Sequence, residues 1–324
     1  MLPHQRRWRF GLSRYGRHIG SICLEKTDLN HAKIKRIIAR SAEILAALLV
    51  LLLIAVGVSV FVCSRYIKTT HYDVSLDGIT NPVRLVIVAD THGKVYGKDN
   101  EQLYEKVAAQ QPDVIVLLGD LFPAEFSEAD KAYVVDMTKR MQSIAQVFFA
   151  MGNHENSYTL QYGGSWIDEI RETGARVFDE SWDDLELGGN TIRFGGTLGH
   201  GFPFGRTDEE YEASPEYAVF TALETSPYPS VLLAHMPDTV VFETSKTNWH
   251  FDLVLSGHTH GGVIRIPGIG GLYAPMQEWW PPYDYGDMML NERMRLIITS
   301  GLSGHGKVPR IFNLPEIAVI DLQP

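Results

Sequence analysis

Twenty consecutive residues without a charge, residues 44–63, constrain this 324-residue chain more than any other feature of its sequence. At 1.5 Å per residue, a helix of that length extends about 30 Å, the thickness of the hydrocarbon core of a bilayer. Arg40 precedes the run and Arg65 follows it, which disfavours the alternative of a buried core helix. We therefore predict one transmembrane helix over residues 44–63, with a cleaved signal peptide as the weaker alternative.

Charge is divided unevenly about this run. Residues 1–43 form a basic N-terminal arm with ten Lys or Arg and three acidic residues; its net charge is +7, so the rest of a chain with net charge −10 carries −17. An acidic body repels polyanions, so we expect no nucleic-acid partner. Because the positive flank precedes the span, the N-terminus is expected in the cytoplasm and the C-terminal domain outside it. The alternative places that domain on the cytoplasmic face.

The rest of the chain has the pattern of a single α/β domain. Residues 64–82 are predicted to form a connector and the first strand region, and residues 83–324 the domain itself. Near-continuous apolar runs at 83–89, 113–118 and 146–151 indicate strands buried on both faces, with helical stretches at 99–110 and 127–144 between them. Further predicted elements are helices at 165–173 and 216–224, a hairpin turn at Gly188-Gly189-Asn190, and strands at 192–194, 231–234, 253–255, 296–299 and 317–322.

Polar side chains follow five of these strands at the point where each strand ends. They are Asp90, His92, Asp120, Asn153, His154, His235, His258 and His260. The carboxyl ends of strands in an α/β sheet open onto the ligand crevice. Thirty residues separate Asp90 from Asp120, about one β-α-β unit, so both carboxylates return to the same edge.

These eight side chains offer only oxygen and imidazole nitrogen ligands, which suit Mn²⁺, Fe or Zn²⁺. Their number exceeds the needs of one ion and matches a pair, across which a bridging hydroxide can attack phosphorus. Cys23 and Cys63 are the only cysteines, so a Cys-ligated zinc module is excluded from the domain. Taken singly, Gly119-Asp120 is typical of a turn and His235 of a structural histidine. The run from Gly257 to Gly262, with two imidazoles bracketed by glycines, is poorly explained by packing.

The ordered set Asp-x-His, Gly-Asp, Gly-Asn-His, lone His and Gly-His-x-His resembles the calcineurin-like metallophosphoesterases over roughly residues 83–322. The N-terminal span and the closing segment with Arg310 and Pro315-Glu316-Ile317 resemble the membrane-anchored YkuE-like branch. The resemblance implies a four-layer α-β-β-α sandwich of two mixed sheets. It also implies metal ligands: Asp90, His92 and His260 on one ion, Asn153, His235 and His258 on the other, and Asp120 bridging both. His154 would be the catalytic residue, a proton donor near the leaving-group oxygen.

The expected function is therefore a membrane-anchored phosphoesterase that uses two divalent metal ions. It would hydrolyse a phosphate ester by attack of a metal-bridging hydroxide, with lipid-linked esters among the candidate substrates. One alternative is a pyrophosphohydrolase that cleaves UDP-2,3-diacylglucosamine in lipid A synthesis. An alternative from another class is a non-catalytic metal-binding scaffold.

Some residues around these motifs carry weaker predictions. Glu155 and Pro123 depart from the family pattern, which usually has acidic Asp at the first position and often an acidic residue at the second. An aromatic and proline-rich segment around Trp279 and Trp280 predicts a loop packed on the sheet, or alternatively an apolar rim for a substrate or the bilayer. His200, His305, Lys307 and Arg310 are expected to be surface charges, with phosphate binding as the alternative.

Overall fold

A computed structural model of the chain describes residues 15–123, 125–197, 208–241 and 249–324. The helices are α1 (Tyr15–Arg65), α2 (Glu101–Ala108), α3 (Lys131–Gln142), α4 (Asn153–Tyr162), α5 (Ser165–Glu172), α6 (Asp208–Glu212), α7 (Pro215–Glu224) and α8 (Asp238–Val241). The longer strands are β1 (Lys68–Ser75), β2 (Val83–Val88), β3 (Val114–Leu118), β4 (Gln146–Ala150), β5 (Arg176–Phe178), β6 (Ser181–Leu187), β7 (Asn190–Gly196), β8 (Ser230–Leu233) and β9 (Leu253–Ser256). Short strands β10 (Arg265–Ile266), β11 (Gly270–Gly271), β12 (Tyr273–Ala274) and β13 (Glu278–Trp279) precede β14 (Gly286–Met289), β15 (Arg295–Ile298) and β16 (Glu316–Gln323).

The uncharged run lies inside the long helix α1. Its part from Lys33 to Arg65 is long and apolar enough to cross a membrane, by length and composition. The chain divides into two compact units, residues 1–57 and residues 58–324. The second unit contains the last two turns of α1 together with every strand that the described residues form.

The second unit contains two six-stranded sheets. The first has the strand order β1-β16-β2-β3-β4-β5 and the second has the order β14-β15-β9-β8-β7-β6. Within the first sheet β2, β3 and β4 run parallel, while β16 is antiparallel to β2. In the second sheet β7, β8, β9 and β15 run parallel and the edge strands are antiparallel to their neighbours. Both sheets are therefore mixed.

Side chains along the central strands alternate between the two faces of each sheet. Each sheet therefore packs on the other sheet with one face and on helices with the other, which gives four layers. Leu85 and Ile87 of β2 point into an apolar core shared with Val231 and Leu233 of β8, so this core lies between the sheets. The neighbouring Val86 points the other way, into a core with side chains from helices α2 to α5. The outer face of the second sheet packs in the same manner on α7 and α8. The predicted α-β-β-α sandwich is confirmed.

The starts of two helices differ from the predicted pattern. The helices expected at 99–110 and 127–144 each begin with a 3₁₀ turn, Lys98–Asn100 and Glu128–Asp130. Asp130 accepts hydrogen bonds from both the backbone N–H and the hydroxyl of Ser127, which caps this second start. The region 64–82 contains β1, which pairs in parallel along the full length of β16. The hairpin turn forms as expected between β6 and β7.

Candidate metal centre

The candidate centre lies where the carboxyl ends of strands from both sheets meet. Asp90, Asp120, His235 and His258 each stand two residues beyond the end of β2, β3, β8 and β9. Two hydrogen bonds tie the sheets together here: His258 N–H donates to Asp90 Oδ1 (3.1 Å), and His235 Nδ1 lies 2.7 Å from the Leu118 carbonyl oxygen. Parallel strands thus deliver side chains from distant sequence positions to one edge.

Asp120 lies at the middle of this group. Its Oδ2 is 3.2 Å from His235 Nε2, 3.6 Å from His92 Nε2 and 3.9 Å from His154 Nε2. Asp90 Oδ1 lies 3.9 Å from the same His235 nitrogen and 4.0 Å from His260 Nε2. The two carboxylates therefore share one set of imidazoles.

Ligand atoms in this cluster form three overlapping groups, each with all of its ligand atoms within 4.8 Å of one another. The groups are Asp90 with His92 and His260, His92 with Asp120 and His154, and Asp120 with His235 and His258. Asn153 opens helix α4 directly before His154. The structure thus brings the predicted His and Asp residues together, and the division of ligands between two ions stays a prediction.

Buried polar atoms in the centre test whether a cation fits it. Asn153 Oδ1, His235 Nε2, both ring nitrogens of His258 and His260 Nδ1 are buried and have no well-directed hydrogen bond to any described residue. A buried polar atom without a partner costs roughly 1–3 kcal/mol. Amide oxygen and imidazole nitrogen are also the donor types that Mn²⁺, Fe and Zn²⁺ accept. The residues therefore fit a divalent metal centre.

Backbone carbonyls fix the orientation of three rings. Nδ1 of His92 lies 3.2 Å from the Phe122 carbonyl oxygen, and Nδ1 of His154 lies 3.2 Å from that of Pro123. Together with the contact between His235 and Leu118, these bonds place a proton on Nδ1 of each ring and turn Nε2 toward the centre. The carbonyls thus set both the tautomer and the direction of each ring.

The backbone around the centre holds an unusual conformation. Positive φ angles occur at Asp90, His92, Asp120, His258 and His260, between 43° and 65°. Residues with a Cβ rarely adopt this region, and such residues cluster at active sites. Neighbouring glycines permit the close approach, since a Cβ on Gly257 would stand 2.6 Å from Asp90 Oδ2. Sequence patterns carry no signal for these angles.

Glu155 has a supporting role that the motif analysis missed. Its carboxylate is fully buried and accepts hydrogen bonds from the backbone N–H groups of Asp120 (2.7 Å), Leu121 (2.8 Å) and Gly152 (2.9 Å). Glu155 thereby joins the loops after β3 and β4, and the N–H of His154 donates in turn to Asp120 Oδ1 (2.9 Å). Glu155, which departs from the family pattern, thus stabilises the loop that carries Asp120.

Burial and neighbouring charges set the protonation of the centre. Burial alone would raise the pKa of Asp120, but His235 holds that pKa well below its usual range. Burial opposes protonation of His235, but Asp120 and Asp90 raise its pKa to about 10. Burial lowers the pKa of His92 to about 4 and of His258 to about 3. Asp120 and the neutral rings of His92 and His258 thus have the forms that bind metal ions, whereas His235 has to release a proton to do so.

Two predictions about the surroundings need correction. Arg310 is not a surface charge: its side chain is buried and donates to the carbonyl oxygens of Ser300, Gly301, Ser303 and His260. The loop with Trp279 and Trp280 does not pack these two rings on the sheet, since they are 65% and 54% exposed. His305 and Lys307 are exposed as expected, and His200 lies outside the described residues.

Comparison with known proteins identifies the family. The sequence pattern of the calcineurin-like phosphoesterases matches residues 83–262, more than half of the chain. The chain belongs to this family. This membership supports the predicted metal-dependent hydrolysis of phosphate esters. In this phosphoesterase the matched segment includes every residue of the candidate centre.

Relatives of the phosphoesterase include an uncharacterized metallophosphoesterase of Campylobacter jejuni, 29% identical, with 78% of this chain and 62% of the relative covered. The uncharacterized metallophosphoesterase YkuE of Bacillus subtilis is 24% identical over 74% of this chain and 79% of its own. A bovine transmembrane protein with a metallophosphoesterase domain is 25% identical over 75% and 53%. A solved structure from Thermus thermophilus aligns with a TM-score of 0.44 at 14% identity, covering 68% of this chain and 91% of its own. The matched region thus covers less than two thirds of the Campylobacter jejuni relative and of the bovine relative.

Proposed function

We propose that the chain is a membrane-anchored phosphoesterase in which two divalent ions activate water for attack on a phosphate ester. One observation carries this proposal: both ring nitrogens of His258 and Nδ1 of His260, which follow β9, and Asn153 Oδ1, which follows β4, are buried without a hydrogen-bond partner among the described residues. His235 Nε2 lies 3.2 Å from the Asp120 carboxylate in the same cluster. A structural role would pair these ring nitrogens with hydrogen-bond partners. Their free, buried state is instead suited to cations.

The geometry supports a division of ligands between two ions. Asp90, His92 and His260 would hold one ion, and Asn153, His235 and His258 would hold the other, with Asp120 between them. Bound ions of this kind lower the pKa of water and neutralise charge on phosphoryl oxygens. Mn, Fe and Zn all remain compatible with these ligands.

His154 stands apart from the other histidines in its exposure. Its side chain keeps 21% of its surface exposed, whereas those of His235 and His260 are buried. The Pro123 carbonyl oxygen accepts a hydrogen bond from Nδ1, and Nε2 lies 3.9 Å from Asp120 Oδ2. A protonated Nε2 at this position can donate to the leaving-group oxygen. We assign His154 as the proton donor.

The N-terminal helix supports anchoring of the domain. The uncharged run fits the thickness of a bilayer, and a bovine relative carries a transmembrane name. With the positive charges before the span, the N-terminus would lie in the cytoplasm and the catalytic domain on the other side.

Metal analysis of the detergent-purified full chain tests the proposed function. The protein is stripped with a chelator, reloaded with Mn²⁺, Zn²⁺ or Fe²⁺, and assayed with 4-nitrophenyl phosphate monoesters and diesters. We expect about two ions per chain and activity that appears only with them. Stoichiometric loading without hydrolysis of any ester would support the scaffold alternative and contradict the proposal.

A further inference from the structure

A cavity of about 330 Å³ adjoins the candidate centre and is lined partly by the end of α1. Val60, Cys63 and Ser64 contribute to its wall together with His92. The N–H of Phe312 donates to Ser59 Oγ (2.6 Å), which fastens this helix end to the loop beside the centre. Residues of the proposed span therefore border the same space as a candidate metal ligand.

Two lysines give this cavity a cationic side. Lys94 and Lys307 line it, and Lys94 Nζ lies 4.6 Å from the centre of the Tyr96 ring. Lys307 is exposed on the loop that closes the cavity. Ammonium groups at the end of a membrane span suit a phosphate carried by a lipid. We call this space the cationic cavity.

A second pocket, lined in part by the same loop, is apolar. It measures about 250 Å³ and is lined by Val263, Ile264, Leu272, Tyr273, Trp279, His305 and Val308, with Gly262. Val308 borders both spaces. The His305 ring lies 5.5 Å from the ring of His260, so the pocket also reaches the candidate centre. We call it the apolar pocket.

We propose that the substrate is a phosphate ester of a lipid, whose hydrocarbon chain enters the apolar pocket. This inference rests on the proposed function. Its phosphorus would stand at the candidate centre, with the anionic head toward Lys94 and Lys307. The exposed Trp279 ring supplies the outer wall for the chain, and bilayer proximity follows from Val60 and Cys63 at the cavity wall. A water-soluble substrate would leave the apolar pocket without a role.

Chain-length dependence tests the pocket without knowledge of the natural head group. We would assay the full chain, loaded with Mn²⁺, on ethyl, hexyl and decyl 4-nitrophenyl phosphodiesters below their micellar concentrations. Ethyl and octyl phosphate, followed by phosphate release, give the same comparison for monoesters. A buried methylene contributes about 0.8 kcal/mol, so partial burial of four should raise kcat/KM from ethyl to hexyl at least about tenfold.

Trp279→Ala should lower the hexyl-to-ethyl ratio of kcat/KM at least about threefold. Trp182→Ala is the matched control, because Trp182 is also exposed but lies on β6, an edge strand of the second sheet. It should leave the ratio at the wild-type value. The ethyl ester, measured in parallel for each variant, corrects for any general loss of activity.

Other outcomes distinguish a failure of the lipid substrate from a failure of the proposed function. Hydrolysis of ethyl esters with no gain from longer chains would overturn the lipid substrate and leave the proposed function standing. An unchanged ratio in Trp279→Ala would also overturn it, and weaker vesicle binding by that variant would then assign the ring to the bilayer surface. No hydrolysis of any ester by the metal-loaded chain would refute the proposed function, and the lipid substrate with it.

Discussion

Replacing Glu155 should destabilise the domain more than any single surface change, because its carboxylate ties two loops together. Oε2 accepts from Asp120 N–H and Gly152 N–H, and Oε1 accepts from Leu121 N–H at 2.8 Å. In Glu155→Gln an NH₂ group replaces one carboxylate oxygen. This group is a donor, and it would face backbone N–H groups that are also donors. At least one charge-assisted hydrogen bond is lost, and its donor stays buried without a partner. The lost bond costs about 1.5–3 kcal/mol and the donor left buried without a partner about 1–3 kcal/mol more, so we expect a total of about 3–5 kcal/mol.

Thermal unfolding of the metal-free full chain, followed by circular dichroism, measures this loss without a contribution from bound ions. For a domain of this size, about 1 kcal/mol corresponds to about 2–4 °C, so the midpoint should fall by about 10 °C. Glu172→Gln serves as the control, since Glu172 is exposed at the end of α5. A midpoint for Glu155→Gln within about 2 °C of wild type would refute the claim that this carboxylate supports the loops.

Further changes test the centre, the topology and a buried carboxylate. Asp120→Asn should lose metal and activity together in elemental and turnover assays, while His154→Gln should keep its metal and lose about 10²–10⁴-fold in kcat; metal loss in the second variant would contradict its assigned role. A reporter enzyme that is active only outside the cytoplasm should be active when it is fused after Pro324. Activity of a second reporter that works only in the cytoplasm would favour the alternative topology. Burial raises the pKa of Asp238 to about 6, and neither carboxylate oxygen has a described partner. Between about pH 4 and pH 6 the folded state holds a proton on Asp238 that the unfolded state has lost. The free energy of unfolding should therefore fall by about 3 kcal/mol as the pH rises through this range. Asp238→Asn should remove this fall in pH-dependent melting of the metal-free chain; an identical pH profile would contradict it.

The central strands were predictable because burial on both faces leaves a strong mark in the sequence. The strand Val114–Leu118 is entirely apolar and fully buried, so its pattern admits few other interpretations. The edge strand Ser181–Leu187 was missed because its alternating exposed positions include Trp182, Asp184 and Glu186, which resemble a polar loop. Edge strands have only one neighbour, so composition constrains them weakly.

The residues of the candidate centre could likewise be predicted from the sequence, but the contacts that orient them could not. Asp90 and His258 follow buried strands, and topology alone brings such positions to one edge. The contact between His235 and the Leu118 carbonyl depends on how one sheet packs on the other, which no local pattern encodes. Helix α4 begins at Asn153, where the sequence equally suits a turn.

Hydrogen bonds within the protein already aim the rings of His92, His154 and His235 inward, and the strained Asp90 and Asp120 loops are locked by backbone donors. An ion that bound here would therefore not have to reorient these three rings, so little conformational entropy would be lost when it binds.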